Sequence, residues 1–530
     1  MGFVSYYFIP FIVVAFIAYW GTPKKYRYIT LLVVSLVFYG WASWKSLFFV
    51  AASTVSMYFF ARLIDKKNNQ QKEYLAVHKG ELSLEEKKAY KAKNKKQRKW
   101  ALVGAILINV IILAVMKYLD FIIGNIYGIV NLIKPGTATP TLNLFLPLGI
   151  SFYTFQAIGY IVDVYWGKIS SERNFLKFAL FMTFFPKVMQ GPIVRYSEMQ
   201  DTLFGEHELT YEGVTSSLVR LMWGYFKKMV IADALAVFVT YAFSNVIDLS
   251  GIESLMTIFF YFIYDYCDFS GYMDIAIGLS GLFGIKLPEN FNHPYFALTI
   301  DDYWRRWHMT LGTWFKDYIF YPLSVSKFSL ALGRGSKKVF KNFGKKMPAV
   351  FGLIVVWLLT GLWHGASWNY VLWGAYYGVI IILSVIFEPL FKKLHEITHI
   401  KENSIGWKIF QHIRTIIILA IGRIIFMSPS LSDAWQMFIK MWQVTDFRID
   451  NFLGTSPGWI TSAVAVFFSF IVLVVDIIQE CKPNTSFIEK MNKMPIWFRW
   501  TCYIGLIVII VIFGFYGSGL PRFEFGYVQF

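Results

Sequence analysis

Eight histidines occur in the 530 residues, and imidazole is the side chain best suited to moving a proton near neutral pH. Their surroundings separate them, because an ionisable group at membrane depth is functional by default whereas one in a polar link is not. His364 lies in Leu362-Trp363-His364-Gly365-Ala366-Ser367-Trp368-Asn369, where the apolar run 349–362 ends. A low-dielectric site disfavours imidazolium, and a neutral imidazole can take a proton from a hydroxyl. Gly365 would let a substrate approach the backbone closely. The competing reading is an interfacial histidine packed among tryptophans. His308 lies within 299–320, where Thr299 followed by Asp302 forms a helix-start signal. Helical spacing puts Trp304, His308, Leu311 and Phe315 on one face and turns Arg305 and Arg306 away. An amphipathic helix along or dipping into a membrane is expected, its charged face meeting the phosphates of a donor or lipid headgroups.

Two further constellations carry chemistry. Asp265, Asp268 and Asp274 fall within an otherwise apolar stretch, together with Ser270. Asp265 and Asp268 share a helical face and could work as an acid/base pair, but buried acids more often hold a polar network with nearby Arg or Tyr. The segment His395-Glu396-Ile397-Thr398-His399 matches the zinc-protease pattern HExxH. Its flanks, Lys392, Lys393, Lys401, Glu402 and Asn403, mark a polar link instead. A solvated helix end is expected there, and no metal site. Gly278-Leu279-Ser280-Gly281 has the serine but not the spacing of a nucleophile elbow, and there is no P-loop.

The elements that position these residues are membranous. Hydrophobic residues make up 56% of the chain and charged ones 16%, against 45–50% apolar and about 25% charged for ordinary soluble domains. Apolar runs of spanning length recur along the chain, giving about ten to thirteen crossings at ~20 residues each. Several are interrupted by Gly and Pro (Pro147, Gly149, Pro186, Gly191, Pro192), and irregular backbone at membrane depth needs protein or a cavity around it. The net charge of +18 comes from Lys and Arg in short links, which reports topology rather than nucleic-acid binding. The basic insert 65–99 and the link Lys24-Lys25-Tyr26-Arg27 both belong in the cytoplasm, which puts the N-terminus outside. Three widely spaced cysteines imply no disulfide framework.

Six motifs, in order, resemble the membrane-bound O-acyltransferase (MBOAT) family and most closely its bacterial alginate O-acetyltransferase branch, with the teichoic-acid D-alanyl transfer proteins more distant. They are Leu146-Pro147-Leu148-Gly149-Ile150-Ser151, Phe185-Pro186-Lys187-Val188-Met189-Gln190-Gly191-Pro192, Asp268-Phe269-Ser270-Gly271-Tyr272-Met273-Asp274, Phe291-Asn292-His293-Pro294-Tyr295, Trp304-Arg305-Arg306-Trp307-His308 and Leu362-Trp363-His364-Gly365. The closing Phe525-Gly526-Tyr527-Val528-Gln529-Phe530 looks like the family's aromatic ending. One departure is Ser324-Val325-Ser326-Lys327 after Tyr321-Pro322-Leu323, where relatives carry a Gly-Gly turn and a basic residue.

The resemblance implies an all-α polytopic membrane protein, one MBOAT domain over 1–530, with about 11 transmembrane helices and re-entrant or interfacial helices ringing a conical cavity or tunnel. It implies His364 as the catalytic histidine and His308 as the second histidine, on a tunnel-side helix. Trp304, Arg305, Arg306, Trp307, Trp363, Asn369, Asp268 and Ser270 would line the substrate path. Asn369 or the Trp363 indole would stabilise an oxyanion. No cofactor is expected to be bound; acetyl-CoA would be the donor, and an extracellular polysaccharide the acceptor. The expected partners are membrane lipid, an extracytoplasmic SGNH-hydrolase-like acetyltransferase and the polysaccharide biosynthesis machinery. The residues also admit a transporter or flippase, resting on the buried acids, and a zinc metalloprotease resting on His395 and His399.

Overall fold

The computed structural model describes residues 2–340, 343–443, 445–455, 459–482 and 491–516; the aromatic ending at 525–530 lies outside them. Helices carry the architecture, and the strand-like pairing among the described residues is an isolated bridge between Phe291 and Trp307. Seven helices among the described residues are long and apolar enough to cross a membrane, so the chain is a multi-pass membrane protein. The chain divides into two compact units, Met1–Val214 with Leu279–Leu287, and Thr215–Gly278 with Pro288–Phe530.

In the first unit the helix Arg27–Val77 is bent at Ser43, whose backbone is extended (φ −165°, ψ 100°). The Ser43 hydroxyl accepts from the Ser46 amide at 3.4 Å and so starts residues 44–77 as a second helix, in keeping with two apolar runs. The basic insert 65–99 is not a loose link. It continues this helix and begins the next, Leu84–Ile133, which Ser83 and Glu86 start with a reciprocal capping box. Tyr74 stacks on Tyr90 at 4.2 Å, and Arg98 reaches across to Asn68. The result is a helical hairpin longer than the ~20 residues that a span needs.

The Gly/Pro interruptions of the first unit are pinned by side chains of the bent helix. Tyr39 donates to the Leu148 carbonyl, Ser46 Oγ accepts from the Leu148 amide at 3.0 Å, and Ser35 Oγ accepts from the Phe185 amide at 3.2 Å. Irregular backbone thus finds partners where water is scarce. Gly149 has a left-handed backbone (φ +68°), and a Cβ there would lie 2.1 Å from the Val188 carbonyl oxygen. Gly167 is also left-handed (φ +74°) but faces open space.

The second unit holds both singled-out histidines. The helices Met347–His364 and Trp368–Thr398 pack with glycines at their closest approach, where a Cβ on Gly361 would meet the Tyr370 carbonyl at 2.3 Å and one on Gly374 the Trp357 carbonyl at 2.3 Å. Small residues let membrane helices approach in this way.

The paired glycines of the first unit separate two costs. Gly167→Ala should destabilise by only the ~1–2 kcal/mol of a left-handed alanine, whereas Gly149→Ala adds a clash with fixed backbone and should lower the unfolding temperature in detergent markedly more. Equal effects would mean that the Leu148–Val188 contact is not rigid.

Candidate active site

The expected single helix over 299–320 is broken at its histidine. Ile300–Arg306 ends at Trp307, and Met309–Phe315 begins after His308, whose backbone is left-handed (φ +48°). Trp304 and His308 therefore do not follow one helical face. The break has a cause in the neighbouring segment. Phe291 bridges Trp307, the Asn292 amide donates to the Arg306 carbonyl at 2.9 Å, and the Met309 amide donates to the Asn290 carbonyl at 3.0 Å. These two backbone hydrogen bonds offset the ~1–2 kcal/mol that a left-handed non-glycine residue costs.

His308 is 3% exposed and meets Phe269 edge-on at 4.8 Å. Burial pushes its imidazole from 6.5 down to about 3, so it is neutral at physiological pH. Its Nδ1 lies 3.1 Å from the Asn290 amide nitrogen. His364 ends its helix, is 4% exposed, and is boxed by Trp373 (4.8 Å) and Phe426 (5.1 Å), both edge-on. Trp363 joins the two, with its ring 5.7 Å from that of His308 and 4.9 Å from that of His364. Two buried imidazoles in contact with one indole are thus brought together from positions 56 residues apart in sequence.

Comparison with known proteins then decides the family. Residues 168–334 match the family profile described as MBOAT, membrane-bound O-acyltransferase family, which includes His308. The chain is 31% identical over 525 residues to the peptidoglycan O-acetyltransferase of Helicobacter pylori, covering 92% of this chain and 89% of that one. It is 30% identical over 464 residues to the probable alginate O-acetylase AlgI of Pseudomonas aeruginosa, covering 85% and 78%. The teichoic acid D-alanyltransferase of Bacillus subtilis is 29% identical over 296 residues, covering 55% and 69%.

The chain belongs to the membrane-bound O-acyltransferase family. It is accordingly an O-acyltransferase of the membrane.

Within this MBOAT protein the other expected site residues divide. Trp304 is wedged edge-on among Trp357 (5.2 Å), Trp373 (5.5 Å) and Tyr377 (4.9 Å), and through Trp373 it belongs to the box around His364. Trp307 stacks on Tyr303 at 5.7 Å. Arg305 is exposed and pairs with Asp301, while Arg306 is held by Asp302 at 3.1 Å and Glu480 at 2.9 Å. Asn369 donates to the Ser428 carbonyl at 2.6 Å, an amide hydrogen engaged in joining two helix ends.

The acids have cations of their own. Lys228 binds Asp268 at 2.6 Å and Asp233 at 2.8 Å. Lys227 binds Asp274 at 2.5 Å and donates to Ser270 at 2.8 Å. Arg423 binds Asp265 at 2.7 Å. Asp265 and Asp268 are therefore paired with different cations, Arg423 and Lys228. The zinc-protease pattern dissolves as well. The helix ends at Thr398, His399 lies beyond it with a left-handed backbone (φ +51°), and His395 faces Glu402 at 3.0 Å. Two histidines on one helical face do not form.

Sequence reasoning missed Asn290, Lys227, Lys228 and Arg423. The lysine pair interrupts the apolar run 214–243, a signal that partners for the buried acids were near. Asn290 carries no such signal.

Arg423 also lies over the rings of Phe262 (4.7 Å), Trp307 (5.2 Å) and Tyr295 (5.6 Å). Arg423→Met should strand the Asp265 carboxylate and destabilise the protein by ~3–5 kcal/mol. Arg423→Met combined with Asp265→Leu should recover a substantial part of that loss, as read from thermal unfolding in detergent; additive losses would show that the pair is not coupled.

Proposed function

We propose that this MBOAT protein transfers an acetyl group from a cytoplasmic thioester, acetyl-CoA, across the membrane for O-acetylation of an extracellular polysaccharide. The observation that carries the reading is the pair of buried histidines flanking Trp363 in a chain whose full-length relatives are O-acetyltransferases. His364 accepts the proton of the acceptor hydroxyl as its oxygen attacks the acyl carbonyl. The C–S bond then breaks, and CoA leaves as a thiolate that takes up the proton from His364. The donor approaches from the His308 side, where exposed Arg305 exchanges Asp301 for its phosphates while Arg306 stays held by Asp302 and Glu480. The aromatic box around His364 keeps water from competing for the acyl group.

The wider arrangement follows the family: about 11 crossings ringing a conical cavity, with 1–530 acting as one domain and residues 299–320 beside the tunnel. The basic hairpin 65–99 and the Lys24–Arg27 link lie in the cytoplasm and the N-terminus outside. An extracytoplasmic SGNH-hydrolase-like acetyltransferase would complete delivery to the polymer, beside the biosynthesis machinery. The buried acids, on which a transporter reading rested, are neutralised by Lys227, Lys228 and Arg423, which leaves that reading without its supporting observation.

Release of free CoA thiol from acetyl-CoA, measured on protein in nanodiscs with a hydroxyl acceptor, tests the chemistry. His364→Ala should reduce turnover at least ~10²-fold, the scale of a lost general base, while unfolding temperature and membrane insertion stay unchanged. Undiminished turnover would remove His364 from the mechanism.

A further inference from the structure

Asn290 is 0% exposed, and its hydrogen bonds fix which end of its amide is which. Its Oδ1 accepts from the Thr310 backbone amide at 3.0 Å and from the Thr310 hydroxyl at 2.9 Å. A backbone N–H can only donate, so that end is the oxygen. The other end is therefore NH₂, 3.2 Å from the Met273 sulfur and 3.1 Å from His308 Nδ1. Oδ1 also lies within hydrogen-bond distance of Nδ1, at 3.3 Å, the contact that an Nδ1–H would make, but Thr310 already gives it a donor for each of its two lone pairs. An NH₂ facing Nδ1 requires a lone pair there, and a neutral imidazole with its lone pair on Nδ1 carries its proton on Nε2. Such a ring cannot accept a proton at Nε2. It can only give a hydrogen bond there.

We propose that Asn290 is a positioning residue that locks His308 in the Nε2–H tautomer, making His308 a hydrogen-bond donor to the acyl oxygen rather than a second base. This rests on the acetyl-transfer reading, in which His364 is the base. The division of labour is chemically economical in a dry site: one imidazole takes the hydroxyl proton, and the other stabilises the oxyanion that forms as the hydroxyl attacks. The same segment that sets the tautomer also sets the ring's direction, since the Asn290 carbonyl takes the Met309 amide and Phe291 bridges Trp307. Thr310, by occupying Oδ1, keeps the amide from flipping.

Two measurements test it, one without activity. In full-length protein with ¹⁵N-labelled histidine in nanodiscs, the His308 signals, assigned by their loss in His308→Gln, should show a protonated Nε2 and an unprotonated Nδ1. That pattern should stay unchanged from about pH 5.5 to 8, as a buried neutral imidazole requires. Asn290→Asp, which keeps an oxygen for Thr310 but presents an acceptor to Nδ1, should move a proton onto Nδ1. A wild-type ring protonated on Nδ1 would overturn the proposal.

In the CoA-release assay, His308→Ala should lose ~10²–10³-fold in kcat, the scale of a missing oxyanion donor. His308→Gln, whose amide N–H reaches the Nε2 position but cannot act as a base, should retain most of the activity. Asn290→Asp should lower kcat with little change in KM for acetyl-CoA. His308→Gln as inactive as His308→Ala, in protein that unfolds at the wild-type temperature, would overturn the donor role. If instead His364→Ala left turnover intact, the acetyl-transfer reading would fail while the tautomer result stood on its own.

Discussion

A buried carboxylate must find its cation within the protein, and the second unit is arranged around that requirement. Helix Gly251–Gly281 carries Asp265, Asp268 and Asp274, and each has its own cation: Asp265 is met by Arg423, Asp268 by Lys228, and Asp274 by Lys227 and Arg220. The two lysines are adjacent in sequence and would point about 100° apart on a regular helix. They sit in the wider turn Phe226–Ala232, a π-helical segment, of the kind found at functional places in helices. Stranding any one of these charges would cost several kcal/mol, so the elements bearing them are fixed relative to that helix.

The site inherits this rigidity. Phe269 and Met273, which contact His308 and Asn290, lie on the same helix as the paired acids. Arg423 extends the frame outward, since besides Asp265 it donates to Tyr295 at 2.8 Å and lies over Trp307. The strained His308 backbone is thus held between an ion-paired helix and an arginine seated in an aromatic cage. On the other side, the glycine-lined approach of Met347–His364 to Trp368–Thr398 presents His364 to Trp373. Neither histidine needs a flexible loop to reach its place, as expected for chemistry that depends on preorganised dipoles in a site shielded from water.

The membrane helices and the burial of both histidines were legible from residue types: apolar runs announce spans, and His364 among tryptophans at the end of one stands apart from histidines in polar links. The helical hairpin at 65–99 was not read, although Ser83-Leu84-Glu85-Glu86 before a Lys-, Ala- and Gln-rich stretch is the pattern of a capping box before strong helix formers. The break at His308 was not legible. Local pattern continues a helix through Trp307 and His308, and only the arrival of residues 290–292 from a different segment stops it. The same holds for the bond from Asn369 to the Ser428 carbonyl, and for the acids, whose spacing said nothing of which cation each would take.

The central claim is vectorial acyl transfer, and sidedness tests it most directly. The protein would be oriented in sealed vesicles, with acetyl-labelled CoA supplied to the face bearing the 65–99 hairpin and a polysaccharide acceptor confined to the opposite face. The account predicts that label reaches the acceptor while CoA remains on the donor side. Label that stays on the donor side, or intact acetyl-CoA appearing with the acceptor, would contradict it.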